Sequence, residues 1–153
     1  MTLFYRFANK NDANLIFNWS NDPLVREMSF DRRQISWRDH IEWFSQKLKD
    51  ENAMILIFQK DNVDVGVVRI ELKEKAVIGI SIASEFRGKK FASEMLLKGC
   101  EAFWKKDKIP IFAYIKKDNV ASIKSFQKAG FAYRRDTIIN GFESVELISE
   151  QCL

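Results

Sequence analysis

The sequence predicts an α/β (α+β) fold, a mixed central β-sheet of about seven strands flanked by helices. Three observations carry that expectation. The periodicities run β-α-α-α-β-β-β-α-β-α-β-β, and strands outnumber helices. Hairpin turn signals and one helical crossover occur in the same chain, which a purely parallel or purely antiparallel sheet would not need. The 153 residues are 46% hydrophobic and 13% aromatic, enough to fill one core over residues 1–153 without disulfides or a metal.

Each element has a local reason. Leu3 to Phe7 alternates weakly and reads as a first strand. Asn11-Asp12 can start a helix carrying Leu15, Ile16 and Trp19, which should break near Asn21-Asp22-Pro23. Proline suits a first helical position, so a short second helix with Leu24, Val25 and Met28 follows. Ser36-Trp-Arg-Asp39 has the form of a capping box, and Ile41, Phe44 and Leu48 mark one face of a third helix. Met54 to Phe58, a turn at Lys60-Asp61-Asn62 and Val65 to Leu72 predict a hairpin. Val77 to Ile82 is the next strand, with Gly79 a candidate for a bulge or a close backbone approach. Phe91, Met95, Leu96, Cys100, Phe103 and Trp104 recur at helical intervals. Ile109 to Ile115 reads as strand, Ala121 to Ala129 as helix, and Phe131 to Ile139 as strand. Asn140-Gly141 is a two-residue hairpin signal before a last strand over Glu143 to Ile148.

Composition narrows the function. A net charge of +4 is mild, and no basic run is interleaved with the aromatics that base stacking uses, so no nucleic-acid partner is expected. The excess suits an anionic small molecule. Cys100 and Cys152 have no disulfide-framework spacing, which implies a reduced, cytoplasmic setting. One histidine and two distant cysteines assemble no metal-ligand cluster. Met1-Thr-Leu-Phe-Tyr-Arg does not read as a signal peptide, and no apolar run is long enough for a bilayer, so no membrane association is expected.

Two segments carry chemistry. Arg87-Gly88-Lys89-Lys90-Phe91-Ala92 is a basic, glycine-containing turn feeding a helix start, where unpaired N–H groups and the helix dipole favour a phosphate or pyrophosphate. About thirty residues on, Asn119-Val-Ala-Ser122 opens a short helix that runs through Phe126 to a stop at Gly130. Together they resemble the acetyl-CoA motifs of the GCN5-related N-acetyltransferases (GNAT), a likeness that spans nearly the whole chain.

The resemblance implies that acetyl-CoA lies where strand 4, Val77 to Ile82, splays from strand 5. The backbone of Ile80, Ser81 and Ile82 would hold the pantetheine arm, and N–H groups from Arg87 to Ala92 the pyrophosphate. Asn119, Ser122 and Phe126 would stand beside the pantetheine; capping and turn chemistry is the alternative for the first two. Lys90 replaces a glycine common in the family and is expected to donate its N–H from ordinary helical dihedrals. Phe126 stands where the family often has tyrosine and cannot donate a proton. Tyr114 is then a candidate for proton relay, with a core or sheet-face role as the alternative. Glu71 and Ser81 are candidates to bind a water that accepts the ammonium proton, with a solvated or hydrogen-bonded structural role as the alternative for each.

For the acceptor, Trp19 to Ser29 and Ile35 to Phe44 resemble the family members that act on nucleotide-linked 4-amino sugars in pseudaminic and legionaminic acid-type pathways, and more distantly the ribosomal-protein N-terminal acetyltransferases. Trp19 and Trp43 would stack on a uracil or sugar, Arg26 would meet a diphosphate, and His40 would hydrogen-bond the acceptor. Packing of helix faces is the alternative for the aromatics, and a merely polar surface position the alternative for His40. The activity implied is direct acetyl transfer to a primary amine in a ternary complex. A protein N-terminal acetyltransferase and a non-catalytic acyl-CoA-binding module are the other readings, and a homodimer is compatible with all three.

Overall fold

The computed structural model describes residues 2–150, so Cys152 lies outside the described residues. Seven strands form one sheet in the order β1-β2-β3-β4-β5-β7-β6. They are β1 (Phe4–Phe7), β2 (Ala53–Lys60), β3 (Val63–Leu72), β4 (Ala76–Ile82), β5 (Ile111–Lys116), β6 (Ala132–Ile139) and β7 (Phe142–Ser149). The helices are α1 (Ala13–Ser20), α2 (Pro23–Met28), α3 (Trp37–Lys49), α4 (Phe91–Trp104) and α5 (Val120–Lys128).

All neighbouring pairs are antiparallel except β4 with β5. That parallel pair is formed only at Ala76 with Ile111 and Val77 with Phe112. Both strands run on without pairing to each other, which leaves the opening that the resemblance implies. The two-residue turns Asp61-Asn62 and Asn140-Gly141 have positive φ at both positions, the hand that matches strand twist in a hairpin.

Strand alternation divides the core. Leu56, Phe58, Val68 and Ile70 face α4 and α5 together with Met95, Leu96, Phe103, Ile111 and Leu147. Ile55, Ile57 and Val67 face the other way, against Ile16 of α1 and Phe44 of α3. Two glycines allow close approach. A Cβ on Gly99 would lie 2.8 Å from Val68 Cγ1, and one on Gly66 would lie 2.5 Å from the Ser81 carbonyl oxygen.

Three sequence expectations change. Gly79 makes neither a bulge nor a backbone contact: β3 and β4 pair without a register shift, and a Cβ there would meet only the Arg69 guanidinium, at 3.4 Å. The irregularities fall at Phe58/Gln59 and Tyr133/Arg135 instead. The buried face of α3 is His40 and Phe44, with Leu48 exposed. The imidazole stacks on Phe44 and its Nε2 lies 2.8 Å from the Ala13 carbonyl, a partner that makes burying a polar ring tolerable. Ser36 accepts a bond from the Asp39 N–H, which is the N-cap half of the expected box.

Candidate active site

The turn after β4 begins as a 3-10 turn over Ser84–Phe86 and reaches α4 through Arg87, Gly88, Lys89 and Lys90. Gly88 has φ +75° and nothing within 4 Å of where a Cβ would sit, so the backbone there is open to a ligand. No side chain caps α4. Its first-turn N–H groups are therefore left to solvent or to an anion, beside exposed Lys89 and Lys90. These features fit a pyrophosphate.

Lys90 departs from the expectation of helical dihedrals: its φ of 65° and ψ of 27° are left-handed. The chain keeps the conformation suited to the family's glycine at a cost of about 1 kcal/mol for the Cβ. Lys90→Gly is therefore expected to raise the melting temperature by about 2 °C, the strain relief being partly offset by the freer unfolded chain. A scanning-calorimetry comparison checks this. Arg87 is less available than its motif suggests. Its N–H turns back to the Ser84 carbonyl, and its Nη2 donates to Asp22 Oδ1 at 2.8 Å.

Ile80 and Ile82 pack their side chains on the main core, so any contact with a ligand in the opening falls to backbone. Phe91 is buried against Phe86, and Ala92 is half-buried. Asn119 caps α5 by accepting from the Ser122 N–H. Phe126 is a core residue, edge-on to Phe131 with ring centroids 5.1 Å apart.

On the α1–α3 face lies a pocket of about 470 Å³ lined by Arg26, Arg33, His40, Trp43, Arg69 and Glu71, among others. It brings together three of the four acceptor candidates and one catalytic candidate. Trp19 is not in its lining and packs on the second core. Arg69 lies over the Trp43 ring at 5.5 Å and reaches across β4 where Gly79 has no side chain. Glu71 Oε2 is 3.4 Å from Lys47 Nζ.

The geometry changes the role expected of Arg26 and the pairing of Glu71 with Ser81. Arg26 donates to the carbonyls of Ser20, Asp31 and Arg33 and to Ser29 Oγ, so it staples the loop after α2 instead of waiting for a diphosphate. His40 lines the pocket with its Nε2 on the Ala13 carbonyl and its Nδ1 not so engaged, and burial, opposed by that carbonyl, lowers its pKa and favours the neutral ring. Glu71 and Ser81 do not share a water. Glu71 pairs with Val77, and Ser81 stands four positions further along β4, roughly 13 Å at the usual strand rise.

Tyr114 joins a cluster on the same sheet face, across β5, β7 and β6. Its hydroxyl donates to Glu146 Oε2 at 2.7 Å. Arg134 and Arg135 donate to the other carboxylate oxygen, and Lys75 stands 3.5 Å from Oε2. Burial raises the Tyr114 pKa, and the bond to Glu146 adds to the rise while Lys75 opposes it. With its proton committed to Glu146, Tyr114→Phe is expected to keep turnover within about threefold and to cost about 1 kcal/mol of stability. Steady-state assays beside denaturant melts separate the two effects.

Sequence reading missed the long-range contacts of the segment from Asp22 to Phe30. Asp22 caps α2 and binds Arg87. Buried Lys116 donates to the Glu27 carbonyl at 2.9 Å and sits 3.6 Å from the Phe142 ring centroid. Asn140 donates to the Phe30 carbonyl. Only the Asn21-Asp22-Pro23 cap was visible in the sequence.

A family model described as an acetyltransferase (GNAT) domain matches residues 2–132. Comparison with curated proteins gave no match. Among solved structures, the aminoglycoside acetyltransferase AAC(6')-Ib in complex with coenzyme A and kanamycin is 15% identical, with TM-score 0.84 over 99% of this chain and 96% of that one. The spermidine N-acetyltransferase from Vibrio cholerae in complex with CoA and spermine is 18% identical, with TM-score 0.84 over 95% and 94%. A domain from Methanocaldococcus jannaschii is 21% identical, with TM-score 0.80 over 96% and 97%. Among the described residues, no helix is long and apolar enough to cross a membrane and no group of three or more His, Cys, Asp or Glu could hold a metal ion.

Proposed function

The chain belongs to the acetyltransferase (GNAT) domain family, and from that premise we propose that it acetylates the 4-amino group of a nucleotide-linked amino sugar, as one domain over residues 1–153 in the cytoplasm. Acetyl-CoA supplies the activated acetyl group. The observation that carries the acceptor reading is the pocket on the α1–α3 face, where Trp43 offers a flat apolar wall and Arg69 offers a guanidinium group. With Arg26 held by backbone carbonyls and Arg33 paired with the Asp31 carboxylate, we assign the acceptor diphosphate to Arg69.

The residues divide the work. The N–H groups at the start of α4 and the open backbone at Gly88 hold the pyrophosphate. The stretch of β4 past Val77, unpaired with β5, presents backbone to the pantetheine and the carbonyl. The acceptor ammonium must lose a proton before it can attack, and Glu71, a carboxylate in the pocket lining, takes that proton directly or through a water. Glu71→Gln is expected to lower kcat at neutral pH by about 100-fold with a smaller change in acceptor KM. The defect should shrink as rising pH supplies free amine.

A thiol-release screen with acetyl-CoA tests the acceptor. Turnover on uridine-linked 4-amino sugars above that on N-terminal peptides supports the reading. Preference for peptides replaces it with the N-terminal acetyltransferase reading, and acetyl-CoA binding without turnover on any amine replaces it with the binding module.

A further inference from the structure

The cofactor turn and the helix that leads to the acceptor-pocket wall are far apart in sequence, and an ion pair joins them. Arg87, in the turn, donates from Nη2 to Asp22 Oδ1 at 2.8 Å. The same Asp22 oxygen accepts from the N–H groups of Leu24 and Val25 and so starts α2. One turn later, Arg26 binds the Ser20, Asp31 and Arg33 carbonyls. Asp31 and Arg33 line the acceptor pocket. Both side chains of the ion pair are partly buried, 28% exposed for Arg87 and 20% for Asp22, so water screens the contact less than it would a fully exposed pair.

We propose that Asp22 is a positioning residue: through Arg87 it holds α2, and with it the acceptor-pocket wall at residues 29–35, in register with the cofactor turn. The inference rests on the cofactor assignment made above. A pyrophosphate on the turn fixes Arg87, Arg87 fixes the N-cap of α2, and α2 carries Arg26 to the loop. The far end of the segment is held independently, where Lys116 donates to the Glu27 carbonyl and Asn140 to the Phe30 carbonyl. Cofactor binding therefore reaches the acceptor wall through the Asp22 carboxylate.

Hydrogen exchange with coenzyme A as the probe tests this without the acceptor. In the wild-type protein, coenzyme A should slow exchange by about fivefold or more both at residues 87–92 and at residues 23–35. Asp22→Asn keeps a good N-cap but removes the charge. It should retain protection at 87–92 and lose it at 23–35. Arg87→Gln, which leaves the Asp22 cap intact, should do the same from the other side. Protection at 23–35 that survives in both variants overturns the proposal, as does wild-type protection confined to the turn. Wild-type exchange unchanged everywhere by coenzyme A overturns the cofactor assignment as well, which distinguishes the two failures.

Discussion

Gly88→Pro is expected to weaken acetyl-CoA binding about 100-fold while the protein stays folded. Proline fixes φ near −65°, whereas Gly88 sits at +75°, so the turn cannot keep its path into α4. The substitution also deletes one N–H donor from a site built of backbone donors. Two effects add here: a lost charge-assisted bond of roughly 1.5–3 kcal/mol, and misaimed N–H groups at the start of the helix. The fold should tolerate it, because Gly88 is exposed and a Cβ there would meet nothing within 4 Å. Isothermal calorimetry with acetyl-CoA, beside circular dichroism, decides the matter; wild-type affinity in a folded variant would move the cofactor elsewhere.

Glu146→Gln is expected to cost about 2 kcal/mol at neutral pH, toward the low end for breaking a buried pair because its cationic partners are half in water. Glu146 is fully buried, while Lys75, Arg134 and Arg135 are 41%, 51% and 61% exposed in their side chains. Burial alone would raise its pKa; bonds from Tyr114, Arg134 and Arg135 outweigh that and bring it to about 2. The sign follows from linkage. A folded pKa below the unfolded one stabilises the protein above the unfolded value, near 4.5, and that contribution fades as pH falls toward 2. Denaturant melts from pH 7 to pH 3 should therefore show a smaller loss of stability on acidification in Glu146→Gln than in the wild type. Parallel curves would mean that other carboxylates govern the acid limit.

How far each residue was legible depended on how local its partners are. Asn140-Gly141, the Pro23 helix start and the apolar runs of β2 and β3 are short-range signals, and the succession of elements along the chain followed from them. Gly88 was legible for the same reason. Arg26 was not, since its partners are backbone carbonyls that carry no side-chain signal. Asp22 and Arg87 are 65 positions apart, and nothing in either neighbourhood names the other. His40 and Glu146 were misjudged or missed because such side chains are ordinarily exposed, and each is buried here only by virtue of partners from distant elements. Lys90 shows the opposite error: its residue type suggested helical dihedrals, but the turn dictates the backbone and the side chain endures it.

The parallel contact between β4 and β5 is two residue pairs long, which makes it a seam between a four-strand leaf and a three-strand leaf. The connection from Lys105 to Pro110 crosses from one leaf to the other, between the end of α4 and the start of β5. Nicking the chain there would separate two fragments, each with complete antiparallel pairing, that meet at the short β4–β5 contact and where α4 packs on α5. Acetyl-CoA, lodged where the leaves part, would touch both, so the chain is suited to a split reporter whose reassembly rises with acyl-donor concentration.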